Sequence, residues 1–148
     1  DCTLKDDIVV DNPIGRNPKN RLKMDVVTDG RSAKTAFVKL LTSQHNVELI
    51  AAKLFTGRTH QIRVHLNTLG RHILGDDLYG FKSKRDKISR VNLHAYLLYL
   101  VHPVSGERME FVAPLFDDMK MYISKNFDQG EVDEKIDPHT LGSLFNTL

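Results

Sequence analysis

The sequence predicts an α+β fold with a mixed, mainly antiparallel sheet and flanking helices. Three observations predict it. Two alternating apolar stretches are joined by a short polar link. A stretch of helical period follows directly. A second pair of alternating stretches then leads into another helical stripe.

Taken in order, Asp11 to Lys23 contains Pro13, Gly15 and Pro18 and reads as an extended loop. From Ala33 to Leu41, residues Ala36, Val38 and Leu40 share one face while Thr35, Phe37 and Lys39 share the other. Val47 to Phe55 alternates as well, and the polar link Thr42 to Asn46 makes the two an antiparallel hairpin. From Thr59 to Leu69 the period changes: Ile62, Leu66 and Leu69 fall at i, i+4 and i+7. Thr59 is expected to cap this helix and Gly70 to end it in the left-handed conformation. Leu93 to Val101 alternates again, Pro103 to Gly106 is a turn, and Arg108 to Ala113 is the last strand. After Pro114, residues Leu115, Met119, Tyr122 and Ile123 repeat at helical spacing. The division expected is 1–128 as the folded part and 129–148 as an acidic, then polar, tail that is either frayed or a short helix packed elsewhere.

Composition sets the class. The chain has 148 residues, of which 41% are hydrophobic and 27% charged, so it can bury a core and is not disordered in bulk. Cys2 is the single cysteine, which excludes an internal disulfide scaffold or a zinc ribbon and fits a reduced cytoplasm. No run approaches the roughly 20 apolar residues of a membrane-spanning helix. There are seven histidines, but His60 and His65 lie five apart, off the i, i+4 spacing of a helical zinc site, and no metal is expected. The chain opens Asp1-Cys2-Thr3 without methionine, and a processed product or a piece of a longer protein is expected on that ground.

The net charge of +2 conceals an asymmetry. Residues 1–116 carry 18 Lys and Arg against 12 Asp and Glu, and residues 117–148 carry 3 against 7. Positive charge concentrates in two loop-like segments. Arg16, Lys19, Arg21 and Lys23 stand with no acid among them, and Lys82, Lys84, Arg85, Lys87 and Arg90 stand against Asp86 alone. Such loops either hold phosphates by Coulomb attraction and counterion release or are simply solvated.

The densest chemical run is Thr56-Gly-Arg-Thr-His-Gln-Ile-Arg-Val-His-Leu66. On a helix starting near Thr59, residues Thr59, His60 and Arg63 share a face, and the apolar stripe points elsewhere. The polar set therefore gathers at a helix start, where free N–H groups and the macrodipole favour an anion. Arg58 and Arg63 add planar cations suited to carboxylate or phosphate. The competing reading is an amphipathic helix with a solvated basic face.

That run, with Gly70-Arg-His-Ile-Leu-Gly-Asp76, Tyr79-Gly80, Leu93-His-Ala95 before His102-Pro103, and Asp29-Gly30-Arg31 before Thr35-Ala-Phe37, resembles the pseudouridine synthases of the large-ribosomal-subunit type. The resemblance covers roughly Asp11 to Ile123 and implies that the chain is the C-terminal part of such a catalytic domain. Arg71-His72 departs from the family pattern, which more often has a histidine and a proline there. The resemblance implies isomerisation of uridine to pseudouridine in structured RNA, ribosomal RNA foremost, with no cofactor and no metal.

By the same resemblance, Arg63 matches the arginine that pairs with the nucleophilic aspartate, and Leu93 an apolar residue packed at the active site. Arg58, Thr59, His60 and Gln61 match the motif's other polar positions, as scaffold or substrate contacts. Asp76 and Tyr79 match a segment expected to fix a loop by side-chain to backbone bonds. The family's His-Arg-Leu-Asp run and its active-site tyrosine have no match in this sequence. The missing N-terminal half of the domain is thus an expected partner, and Arg63 is expected to be an unpaired charge in a half-built cleft. The alternative function is a non-catalytic RNA-binding module of the same fold.

Overall fold

The computed structural model describes Leu4, residues 7–80 and residues 88–146. Cys2 and the basic residues Lys82, Lys84, Arg85 and Lys87 lie outside the described residues. The elements in chain order are β1 (Ile8–Asp11), β2 (Ile14–Arg16), β3 (Met24–Val26), β4 (Lys34–Thr42), β5 (Glu48–Leu54), α1 (Gln61–Thr68), β6 (Leu97–Val101), β7 (Arg108–Val112), α2 (Asp117–Asn126), α3 (Gln129–Ile136) and α4 (Pro138–Leu144). They form an α+β fold with three small sheets, ordered β1-β4-β5, β2-β3 and β6-β7. Every strand pair among the described residues is antiparallel. No described helix is long and apolar enough to cross a membrane.

β4 is the centre. Thr35, Ala36, Phe37 and Val38 are all buried, because both faces of this strand are covered. On one face Phe37 packs with Leu4, Val10 and Leu66, flanked by Ile62 and Leu69 of the α1 stripe. On the other, Ala36 and Val38 pack with Phe145 and Leu144 at the end of α4. A third cluster joins Ile14, Ala33, Val64 and Tyr79, so α1 is wedged between the central sheet and the β2–β3 ribbon.

Three expectations need correction. The segment Asp11 to Lys23 is not all loop, since it contains β2, which pairs with β3 through Ile14↔Val26 to Arg16↔Met24. A three-residue strand beside Pro13 is too short for a period to show, and its partner pairing fixes it. The strand expected from Leu93 begins only at Leu97. Before it, the chain runs beside residues 74–75, with the Asn92 N–H donating to the Leu74 carbonyl at 2.8 Å.

The third concerns residues 129–146: of the two readings, a frayed tail or a short packed helix, the chain takes the helical one, forming α3 and α4, which close one face of the sheet through Val132, Leu141 and Phe145, each at most 9% exposed. The acids that suggested a tail include helix caps. Asp128 accepts from the Glu131 N–H, and Asp137 from those of His139 and Thr140.

α1 ends as expected at Gly70, whose φ is 69°. The Gly70 N–H donates to the Asn67 carbonyl and the Arg71 N–H to that of Leu66, the paired bonds of a Schellman motif. Arg71 then forms an ion pair with Glu48 at 3.2 Å.

A chain of hydrogen bonds holds α1 to β4. Gln61 Nε2 donates to Thr35 Oγ1 at 2.9 Å, and the Thr35 hydroxyl donates to His65 Nδ1 at 2.9 Å. His65 Nε2 donates to the Asn12 carbonyl at 3.0 Å. Because that carbonyl only accepts, the proton of neutral His65 sits on Nε2. Burial presses the His65 pKa down, opposed by the Asn12 carbonyl and the Asp11 charge.

Gly75 has φ 75°, and a Cβ there would lie 1.9 Å from the Arg90 carbonyl oxygen. Gly75→Ala should cost more than about 2 kcal/mol in urea unfolding, and an unchanged midpoint would refute the packing. For His65, the unfolded chain takes up a proton near pH 6.5 that the folded chain refuses. Stability is therefore full above about pH 6.5 and falls as the pH drops below it, by up to about 1.4 kcal/mol per unit. His65→Gln should be less stable at pH 8 yet show a shallower fall between pH 7 and 5. Equal slopes would remove His65 from this role.

Candidate active-site face

The residues 56–60 form a tight loop between β5 and α1, and Gln61 builds it. Its Oε1 accepts from Thr56 Oγ1 and from the Arg58 N–H, both at 2.9 Å. Its Nε2 donates to the Lys34 carbonyl at 3.0 Å as well as to Thr35. All four hydrogen-bonding positions of the amide are filled, and Gln61 is 3% exposed, so it belongs to the scaffold and presents no edge outward. Arg58 is tied at its Nε, which donates to the Ser32 carbonyl at 2.9 Å. Thr59 is exposed.

Thr59 does not cap α1 as the sequence suggested. The N-cap is His60, in the left-handed region with φ 58° and no side-chain cap bond. Gln61 has already reached back to the loop N–H group, and the backbone turns at His60 instead. A non-glycine residue in this conformation costs about 1–3 kcal/mol and persists where its surroundings hold it. The holder is Tyr79: His60 Nδ1 lies 3.0 Å from the Tyr79 hydroxyl, with the rings edge to face at 5.6 Å.

Arg63 lies one turn along, at the centre of the site. Its Nε and Nη2 donate to the two carboxylate oxygens of Asp76 at 2.7 and 2.8 Å. Asp76 is almost fully enclosed, at 1%, against 17% for the Arg63 side chain. Asp76 Oδ1 also accepts from the Leu78 and Tyr79 N–H groups, each at 3.1 Å. The Arg63 guanidinium lies over the Tyr79 ring at 4.8 Å, and the Tyr79 hydroxyl accepts from the Met24 N–H at 2.7 Å. The expectation of an unpaired Arg63 is therefore corrected: a carboxylate 13 residues away fills its bidentate edge. Among the described residues no hydrogen bond reaches Nη1, so the exposed part of the guanidinium keeps a donor to offer.

The charges reinforce one another. Burial would raise the Asp76 pKa, but the Arg63 fork and the Tyr79 and Leu78 N–H groups outweigh it and hold the carboxyl below its ordinary value. The Asp76 hydrogen bond holds Arg63 more firmly charged. Burial, then the Arg63 charge, lowers the His60 pKa, and Arg16 adds to the effect. Arg16 is thus close enough to act on the site. Lys23 stands 5.6 Å from the centre of the same Tyr79 ring. The loop between β2 and β3 thus brings Arg16 and Lys23 to the rim of Arg63, and Asn17 shapes it by accepting from the Lys19 and Asn20 N–H groups. Lys19 and Arg21 are exposed on that loop. Leu93 is 41% exposed, just after the segment that runs beside residues 74–75.

Sequence reasoning put Asp76 and Tyr79 in a loop-fixing role and missed their contacts with Arg63 and His60. The available signal was the aspartate itself, since a carboxylate placed in a turn against a core helix is rarely buried without a cation. Among the described residues no group of three His, Cys, Asp or Glu side chains converges as a metal site. What the arrangement offers is a rigid planar donor inside a basic rim.

A family model for RNA pseudouridylate synthase matches residues 2–68. An uncharacterized RNA pseudouridine synthase of Helicobacter pylori is 48% identical over 136 residues, covering 88% of this chain and 42% of the relative. Ribosomal large subunit pseudouridine synthase D of Zymomonas mobilis is 38% identical over 120 residues, covering 76% and 38%. Among solved structures, human RNA pseudouridylate synthase domain containing 1 superposes with a TM-score of 0.65 at 29% identity, over 79% of this chain and 52% of that one. The chain spans about two-fifths of the length of the curated relatives it matches. Motif, fold and relatives agree that the chain belongs to the RNA pseudouridine synthase family.

Proposed function

We propose that this chain is the arginine-bearing part of an enzyme that converts uridine to pseudouridine in ribosomal RNA, acting in the cytoplasm. The observation that carries the reading is Arg63, the arginine of the family motif, held rigid by Asp76 with one donor edge left open. The reaction breaks the bond between uracil and ribose and rejoins them through carbon, and the family uses a nucleophilic aspartate and no cofactor. That aspartate and the active-site tyrosine have no match in this sequence, and the matched relatives are more than twice as long as the matched region. We therefore assign them to the N-terminal half of the catalytic domain. In this reading the Arg63 Nη1 edge aligns the incoming carboxylate, Leu93 packs at the cleft, and Thr59 and His60 border the base.

The target uridine has to leave its stack, which costs a few kcal/mol. Single-stranded or looped RNA lowers that cost. The rim cations Arg16, Lys19, Arg21 and Lys23 hold the flanking phosphates, and Lys82, Lys84, Arg85 and Lys87 are assigned the same task from sequence alone.

The decisive experiment incubates this chain with ribosomal RNA and scores pseudouridine by nucleoside mass spectrometry. The chain alone should give none, and adding a polypeptide that carries the family's nucleophile segment should restore conversion. In that complemented enzyme, Arg63→Ala should lower the single-turnover rate by about a hundredfold or more, and Arg63→Lys should recover little, because a point charge does not reproduce a planar fork. Rates near wild type for the alanine variant would remove Arg63 from the mechanism. Binding without conversion, even after complementation, would favour the non-catalytic RNA-binding module.

Neutralising Arg16, Lys19, Arg21 and Lys23 together should weaken RNA binding by this chain. The slope of log affinity against log salt should fall by roughly 0.7–0.9 for each phosphate no longer neutralised. An unchanged slope would return the loop to a solvated role.

A further inference from the structure

An arginine that lines an RNA cleft has a competitor for the carboxylate it is meant to hold. Phosphate oxygens are abundant along the backbone, and the Nε/Nη2 edge of a guanidinium matches phosphate and carboxylate alike. In this chain that edge is closed by Asp76 at 2.7 and 2.8 Å. The Asp76 carboxylate is locked in turn by two backbone N–H groups, and the guanidinium is flanked by the Tyr79 ring. The pair has no net charge, whereas Lys23 and Arg16 beside it keep theirs.

We propose that Asp76 is a positioning residue that reserves Arg63: it occupies the bidentate edge and cancels the charge that would capture an RNA phosphate, leaving the Nη1 edge for a carboxylate delivered by the polypeptide. The identity of that carboxylate rests on the synthase reading above; the exclusion of phosphate does not. A tethered carboxylate reaches Nη1 through its high effective concentration, without long-range attraction. A phosphate has no such tether, and the Asp76 charge repels it.

The test uses this chain, labelled with nitrogen-15, with inorganic phosphate in one arm and a uridine-containing ribosomal RNA hairpin in the other. In the wild type, the Arg63 Nε–Hε resonance should not move with phosphate at concentrations that shift the side chains of Arg16 and Lys23. In Asp76→Asn it should shift and saturate. In the RNA arm, Arg63→Gln alone should leave the salt slope unchanged. Asp76→Asn should steepen that slope by about 0.7–0.9, and adding Arg63→Gln should abolish the increment. A folded Asp76→Asn chain without a gained phosphate response overturns the proposal. A wild-type Arg63 resonance that titrates with phosphate overturns it too, as does a slope that falls by the same increment in Arg63→Gln alone. The wild-type reading stands even where neither variant folds. A chain that binds no RNA overturns the functional reading instead, while the phosphate arm still decides this one.

Discussion

A carboxylate with 1% of its surface exposed cannot remain charged inside a protein unless donors surround it. Asp76 has four: two from Arg63 and two from the backbone of its own turn. This ion pair joins parts of the chain with little else in common. It ties α1 to the turn at residues 76–79 and sets the height of Tyr79. Through the Tyr79 hydroxyl it reaches the β2–β3 ribbon at Met24 and the helix cap at His60. Removing the Arg63 charge would leave Asp76 buried and unpaired, which in proteins generally costs about 3–5 kcal/mol.

A second layer beneath this pair is neutral. Gln61, Thr35 and His65 form a line of hydrogen bonds with every role assigned, and it fixes α1 on β4 independently of charge. The two layers meet in one motif, since Gln61, Arg63 and His65 alternate over five positions of a single helix turn and a half. Gln61 and His65 point to the sheet, while Arg63, between them, points to the opposite side. The helix is thus clamped by neutral polar contacts on the face where water is excluded. It carries its cation on the face that opens to solvent.

The repeating parts of the fold were legible in the sequence. The hairpin of β4 and β5, the stripe of α1 and its stop at Gly70 all follow from periods and from one glycine. The hidden parts depend on contacts distant along the chain. β2 has three residues and exists because β3 pairs with it. The helices α3 and α4 hide in an acidic segment because Asp128 and Asp137 serve as caps, a role set by position rather than by composition. In the site, residue type and spacing pointed to a polar cluster that includes Arg63 and the motif resemblance singled Arg63 out, but the Asp76 partner lies beyond a loop, where neither helix nor strand period applies. His60 was legible as a functional-looking residue. Its left-handed backbone was not, because that conformation is imposed by Gln61 on one side and Tyr79 on the other.

The face divides electrostatic labour by distance. Long-range attraction for a polyanion needs unpaired charge, and under the proposed function Arg16, Lys19, Arg21 and Lys23 are assigned to supply it, their fields acting within a Debye length of about 8–10 Å. Short-range chemistry needs direction instead, and a bare cation gives little, because it accepts any anion in many poses. Neutralising Arg63 with Asp76 converts it from a source of field into a set of aimed N–H donors. A lysine at position 63 could not fill this role. Its ammonium would meet Asp76 as a point charge and retain no fixed second edge. The planar guanidinium satisfies one carboxylate completely and still presents a donor in a known direction.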